Sequence, residues 1–565
     1  MRRIVGRPFG PKGVPTIGSL MRRPSLSSLP LSSASLAVLT ALLLLPVLMV
    51  LASWLQWSSD SAAILREMVH TVLPDYALTS VLLCLLVGVG VVVLGSGTAL
   101  AVSLFDFPGR KTLEWALLLP LAMPAYVVAY AYTDFLQYSG PLQMWLRQAS
   151  GLQGALWPDI RSLWGAALVL SLSLYPYVYL LARTALTERA TPLMEAARLL
   201  GAPLWRRIWQ LALPLARPAI AAGTALALME TLADFGVASY FGVQTFTAGI
   251  YKAWLVMDNR VAAAQLATSL LLLVALMLKL EQSAQSRLRF ASTSGGTHGN
   301  EAQSLRLHGV HAALAWALCS MPVLLGFGVP VLLLLTALAQ AGDTGLPWLR
   351  FVDWTWNSLR LGAMTAVLAV GLALALAYQA RLGQHRLSRW AVQWAGLGYA
   401  VPGVVIVVGL LLPLGWLQQT WPNSQAGIWI TATVLGLVWA YLVRFVAVAL
   451  QSVQSGYARI PVSLDESARM LGTSARTLVQ QVHMPLLQRS LVAAFLLVLV
   501  DVMKELPATL MLRPFDTDTL AVMAYQLARD ERLAEAALPS LALVLVGLVP
   551  VMLLSRSLRQ RPQPS

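Results

Sequence analysis

Four carboxylates stand where carboxylates are expensive. Glu230 and Asp234 lie in one strongly apolar stretch of the chain, and Asp501 and Glu505 lie in another. Within each pair the acids are four residues apart and so share one helix face, and each acid of the second pair follows its counterpart by 271 residues. A charge inside a membrane span is costly unless it meets a hydrated cavity or a partner, which makes these acids candidates for lining a path. One cation, Lys504, sits among them and leaves a formal charge of −3. Grouped oxygen donors suit a hard cation, and Asp234 with Glu505 is the pair expected to touch one in passing. The alternative is structural: Lys504 pairs with Asp501 or Glu505, while the other acids bind backbone or line a hydrated gap. Asp234 lies 20 residues past Pro214, about 30 Å along a continuous helix, which places the acids toward the outer mouth.

The same 271-residue offset relates two polar loops that precede these stretches. The first reads Glu195-Ala196-Ala197-Arg198-Leu199-Leu200-Gly201, and Leu213-Pro214 closes it 13 residues after the Gly. The second reads Glu466-Ser467-Ala468-Arg469-Met470-Leu471-Gly472, with Met484-Pro485 at the same distance. Two in-phase copies mark a tandem repeat. Thr191-Pro192 suits a helix start, Ser463 with Glu466 reads as a capping box, and Gly201 and Gly472 can take the left-handed conformation that ends a helix. Pro203 or Thr473 then opens a second short helix, and Pro214 and Pro485 are expected to separate it from the span that follows. Each loop is a rigid two-helix knob.

The elements that must position these residues are membrane helices. Of 565 residues, 58% are hydrophobic and 12% charged, against about 25% charged in soluble domains. The apolar residues form 12 blocks at about 35–54, 79–105, 113–136, 163–182, 215–241, 262–280, 311–338, 357–380, 391–417, 428–450, 486–511 and 537–555. Each is long enough to cross a bilayer, and the fifth and eleventh are long enough to break before they end. With the N-terminus inside, 29 of the 40 Lys and Arg residues fall on the inner side, 10 on the outer side and Lys504 within a span. That bias sets topology, with both termini cytoplasmic, and it accounts for the net charge of +15 without nucleic acid as a partner.

The fold class is therefore an all-α membrane protein of about 12 transmembrane helices arranged as two tandem six-helix units. Residues 1–33 form a basic tail, 34–280 the first unit with its loop at 187–214, and 281–307 a linker. Residues 308–556 form the second unit with its loop at 458–485, and 557–565 a C-terminal tail. Cys84 and Cys319 both fall in apolar blocks, so neither a disulfide framework nor a cysteine metal site is expected. The six histidines lack paired ligand spacing at one depth, and Gly88, Gly90, Gly95 and Gly97 read as helix-packing positions. None of the five lysines follows a Gly, so a Gly-Lys-Ser/Thr phosphate loop is absent. The chain is not expected to be an enzyme or to bind a cofactor itself.

The loop pattern, Glu-Ala-Ala, three residues, Gly and then a hydrophobic residue before Pro, resembles the EAA loop of permease subunits in bacterial ABC importers. Ser467 and Met484 are the departures. The resemblance implies that Glu195, Ala196, Ala197 and Gly201, with Glu466, Ala468 and Gly472, dock two copies of a separate ATPase subunit that uses ATP. Met229 to Gly236 with Tyr240 to Tyr251, and Met503 to Leu510 with Leu512 to Ala537, resemble the ferric-iron permeases of that superfamily. This implies a fused inner-membrane permease for iron(III), supplied by a periplasmic ferric-binding protein. A permease for thiamine or another small solute is the alternative within the class. A proton-coupled secondary transporter is the alternative outside it.

Overall fold

The computed structural model describes residues 33–56, 59–187, 191–292, 305–341, 348–382, 386–423 and 425–559. The first 32 residues, residues 560–565 and linker residues 293–304 lie outside the described set.

The first half runs α1 (Ser33–Ala52), α2 (Ser59–His70), α3 (Leu73–Leu104), α4 (Arg110–Ala116), α5 (Ala125–Leu136), α6 (Pro141–Ser150) and α7 (Leu163–Ala185). It continues with α8 (Thr191–Leu199), α9 (Leu204–Arg207), α10 (Leu213–Ala233), α11 (Gly236–Phe241), α12 (Phe246–Tyr251) and α13 (Arg260–Ser292). The second half runs α14 (Gly309–Val323), α15 (Val329–Ala341), α16 (Trp348–Leu382), α17 (Arg386–Leu397), α18 (Gly403–Thr420), α19 (Ala426–Thr431) and α20 (Val434–Tyr457). It ends with α21 (Val462–Met470), α22 (Ala475–Thr477), α23 (Met484–Lys504), α24 (Pro507–Leu512), α25 (Leu520–Arg529) and α26 (Leu533–Arg559). From α3 to α13 each helix has its counterpart thirteen labels later, which is the sequence repeat made visible. A two-residue parallel pairing of β1 (Phe105–Asp106) with β2 (Leu305–Arg306) joins the end of α3 to the residues entering α14.

Ten helices among the described residues are long and apolar enough to cross a bilayer, and two bent pairs bring the number to 12. The bends are the main departure from straight spans. The third and ninth blocks turn by 90° and 113° at Met123-Pro124 and Val401-Pro402, where proline removes a backbone donor and disfavours helix in the residue before it. At the other end of the first half, α13 continues through Ser292 instead of stopping at residue 280.

The helices α7 and α20 form the centre. In α7, 78% of the apolar window is buried, against 17% in α1. Gly95 lets α3 close on α7, since a Cβ there would stand 2.6 Å from Val178 Cβ. The first span of each half crosses over: α1 packs on α17 and α18, while α14 and α15 pack on α3, α4 and α5 as well as on α26. Pro46 in α1 has no N–H for the Leu42 carbonyl, and Trp439 Nε1 of α20 donates to that carbonyl at 3.0 Å. In the reciprocal crossing, Tyr132 O–H donates to the Leu325 carbonyl at 2.6 Å, within the π-helical turn joining α14 to α15.

Candidate functional site

Chain bends create the site. Pro124 and Pro402 start α5 and α18, and α10 and α23 stop at Asp234 and Glu505. Between these four breaks and the middles of α7 and α20 lies a cavity of about 200 Å³, lined by Glu230, Asp234, Asp501 and Glu505 together. The fifth and eleventh spans thus break as their length suggested, and the four acids converge.

Asp234 and Glu505 are first of all helix caps. Asp234 Oδ2 accepts from the N–H groups of Val237 (3.0 Å) and Ala238 (3.2 Å) at the start of α11. Glu505 Oε1 accepts from Ala508 N–H (3.0 Å), and Oε2 accepts from Thr509 N–H (3.0 Å) and Thr509 Oγ1 (2.8 Å), at the start of α24. These bonds satisfy donors that a helix start leaves free. Among the described residues no group of three His, Cys, Asp or Glu side chains is placed to hold a metal ion.

The counter-charge nearest the acids comes from Arg444. Arg444, in the middle of α20, places Nη1 3.7 Å from Glu505 Oε1 and Nη2 3.9 Å from Glu230 Oε2. It bridges the two halves, and with Lys504 it brings the formal charge of the lining to −2. Arg444 belongs to the cavity and not to an inner loop. Lys504 donates to the Leu121 carbonyl at 3.0 Å, and none of the ion pairs within 4.0 Å among the described residues includes it. The Lys504–carboxylate pair of the alternative reading is thus not among these ion pairs, whereas the two Arg444 pairs are. Gly403 makes room for them, because a Cβ there would lie 2.7 Å from Glu505 Oε1. Tyr126, Tyr177 and Tyr399 complete the polar lining.

The cavity lies level with the middles of two central helices. Ser173 of α7 and Arg444 of α20 are near the midpoints of their helices, roughly 18 Å from the C-terminal ends at 1.5 Å per residue. The helix that leads to the cavity, from Leu204 to Ala233, is continuous through a π-helical turn, Ile208–Ala212. Contrary to the expectation from the sequence, Pro214 and Pro485 therefore do not separate the short helix from the span that follows. In each copy the π turn shifts the bonding, with Leu213 N–H donating to the Ile208 carbonyl and Met484 N–H to the Val479 carbonyl.

Below the cavity are the knobs. Gly201 and Gly472 both have φ +78°, and nothing lies within 4 Å of a Cβ built on either. Ala202 N–H donates to the Ala197 carbonyl (3.0 Å) and Thr473 N–H to the Ala468 carbonyl (3.1 Å), the bond that closes a helix around a left-handed residue. Pro203 opens α9, but Ser474, not Thr473, caps α22 by accepting from Thr477 N–H. The helix α21 starts at Val462, so Ser463 sits in its first turn and not at a capping position. Glu195, Ala196 and Glu466 are exposed, and Ala197 and Ala468 are half-buried. Leu199, Leu200, Met470 and Leu471, which the motif alone did not single out, are 86–89% exposed at the knob tips. The apolar tips thus occupy matching positions in the two copies.

Known proteins resemble the chain over part or most of its length. Residues 91–289 match the binding-protein-dependent transport system inner membrane component. The chain is 26% identical over 484 residues to the Fe(3+)-transport system permease protein FbpB 2 of Haemophilus influenzae, covering 84% of this chain and 88% of that protein.

Over residues 91–289 the chain is similar to the binding-protein-dependent transport permeases, and over most of its length to an Fe(3+)-transport permease.

The permease is also 34% identical over 135 residues to the molybdenum transport system permease protein ModB of Escherichia coli K12, covering 24% of this chain and 57% of that protein. A putative 2-aminoethylphosphonate transport system permease protein of Salmonella paratyphi A is 26% identical over 260 residues, covering 43% and 94%. The permease is thus a multi-pass, all-α inner-membrane component of an ABC transport system. Arg444 and the three tyrosines were missed by sequence reasoning. A signal existed for Arg444, since it is flanked by Tyr441, Leu442 and Val443 and by Phe445, Ala447 and Val448, a context as apolar as that of the acids.

Proposed function

We propose that this permease forms the translocation path of an ATP-driven iron(III) importer. Its two tandem six-helix units, with both termini cytoplasmic, enclose the path. A periplasmic binding protein delivers the metal, and two ATPase subunits close against the knobs at Glu195 to Gly201 and Glu466 to Gly472. The observation that carries the reading is the cavity between the halves. Four carboxylates face two cations there, and the residual negative charge favours a hard cation. The likeness to an Fe(3+)-transport permease over most of both chains supports the same substrate.

In this reading Glu230 and Asp501 meet the metal first, because the oxygens of Asp234 and Glu505 already serve as caps. Arg444 acts as an internal cation that holds Glu230 and Glu505 compensated while the path is empty. Metal entering beside Glu230 weakens the Arg444 bridge between the halves, so binding and opening are linked by the same charges.

A second reading is favoured by Arg444 and Lys504, which could instead hold an oxyanion, the substrate type of a molybdenum permease. Uptake into vesicles that contain the permease, its ATPase and its binding protein separates the two. Iron(III) import that resists excess molybdate and thiamine supports the first reading. Molybdate or thiamine import without iron import overturns it.

A further inference from the structure

Behind the second knob, four elements are joined by one buried ionic cluster. Arg381, near the end of α16, donates from Nε to Asp465 Oδ2 (2.6 Å) and from Nη2 to Asp465 Oδ1 (3.3 Å). Its Nη1 donates to the Tyr457 carbonyl (3.1 Å), and its Nη2 donates to the carbonyls of Ile460 (3.0 Å) and Pro461 (3.1 Å). Those carbonyls end α20 and lead into α21, so one guanidinium holds three helices. Asp465 of α21 also accepts from Nε2 of the fully buried His483 at 3.0 Å. His483 closes the π-helical turn that opens α23, where its Nδ1 faces the Tyr457 hydroxyl at 3.2 Å. Asp501 lies on α23 and Glu505 immediately follows it. A continuous line of bonded groups therefore runs from the knob to the span that lines the cavity.

The first half answers the same positions with different chemistry. At the 271-residue offset, Asp465, His483 and Tyr457 correspond to Met194, Ala212 and Leu186. Arg381 corresponds to Ser103 at an offset of 278, the separation of Leu104 from Leu382 at the ends of α3 and α16 and of Pro124 from Pro402 at the bends. None of these four counterparts carries a charge. Met194 is buried, and Arg207 Nη1 donates to its carbonyl at 3.3 Å. Exchanging a whole buried ionic cluster for apolar residues is often neutral for stability, whereas removing one partner is costly, so these groups are tied to one another by their charges.

We propose that Arg381, Asp465 and His483 are positioning residues that fix the second knob as a rigid lever on α23, and that the two knobs are mechanically unequal, the first being the looser. The proposal rests on the reading of the knobs as ATPase-docking surfaces. Closure of the partner subunits is then delivered chiefly to the half that carries Asp501, Glu505 and Arg444.

Hydrogen exchange on the full-length permease in nanodiscs, with neither ATPase nor iron present, tests the rigidity directly. Amides of residues 462–470 are expected to exchange at least about tenfold more slowly than those of 191–199, the scale of one charge-assisted hydrogen bond. Asp465→Asn should remove that difference without changing 191–199, and His483→Gln, which keeps a donor toward Asp465, should keep most of it. Equal exchange in the wild-type knobs overturns the proposal, as does an unchanged 462–470 in Asp465→Asn. If Asp465→Asn fails to fold, the wild-type comparison still decides, and Arg381→Lys, which keeps the charge without the fork, is expected to give a partial loss of protection. In the reconstituted importer Asp465→Asn should bind the ATPase but import about tenfold less per ATP hydrolysed, and an unchanged ratio contradicts the lever. A wild type that shows the exchange difference yet imports no iron would overturn the substrate reading and leave the lever standing.

Discussion

At Arg444 a buried charge is compensated by two carboxylates at once, Glu230 from one half at 3.9 Å and Glu505 from the other at 3.7 Å. Arg444→Met strands the Glu505 side chain, which is only 2% exposed, and is expected to cost about 3–5 kcal/mol, read as a lowered thermal midpoint of the purified permease. The caps separate in a similar way. Asp234→Asn keeps an oxygen for Val237 and Ala238 and should cost about 1 kcal/mol or less. Glu505→Gln also removes a charge from Arg444 and should cost about 2–3 kcal/mol, so the two midpoints should fall in that order. The four acids were legible in the sequence because they interrupt apolar runs in phase. Arg444 was not, since a single Arg counted with the basic inner loops looks like a topology signal. The pairing partner of Lys504 was also illegible, because a main-chain carbonyl carries no mark in the sequence.

Helices and turns divide in the same manner. The knobs could be read residue by residue, since a left-handed Gly after a capped helix is a local rule, and both glycines adopt φ +78°. Gly201→Ala and Gly472→Ala should each cost about 1–2 kcal/mol of knob stability through backbone strain alone, because their surroundings are open. ATPase subunit binding should weaken to a similar degree in both. The π turns and the 90° and 113° bends were not read, because they arise from a proline acting against tertiary packing. At α21, burial alone would raise Asp465, but the hydrogen bonds from Arg381 and His483 outweigh it and hold the carboxyl below its ordinary range. Its contribution is therefore complete above the unfolded value of about 3.9 and is lost as pH falls below that through the folded value. Arg381 and His483 are the charged or titratable groups bonded to it. The stability advantage of the wild type over Asp465→Asn should stay constant from about pH 8 to 5 and shrink below about pH 4, as followed by thermal unfolding.

Across the whole molecule, each half borrows the other's first span. The span α1 covers α17 and α18, α14 and α15 cover α3 to α5, and the cavity lies between the halves. Composition and repeat phase made the all-α, multi-span architecture legible. The crossing was not, because apolar helices of similar length give no indication of which neighbour they choose. Permease expressed as two chains, 1–292 and 305–565, should copurify as an assembled pair, whereas each chain alone should aggregate, as size-exclusion chromatography in detergent would report. The proposed path carries a hard cation between the halves past Glu230 and Asp501. It is tested most directly by the initial rate of ATP-dependent iron(III) uptake into proteoliposomes holding the complete importer, for the wild type and for Glu230→Gln/Asp501→Asn. The expected result is wild-type uptake that needs ATP, ignores excess molybdate and falls at least about tenfold in the assembled double variant. Uptake that is unchanged in the variant, or that molybdate abolishes, would contradict the account.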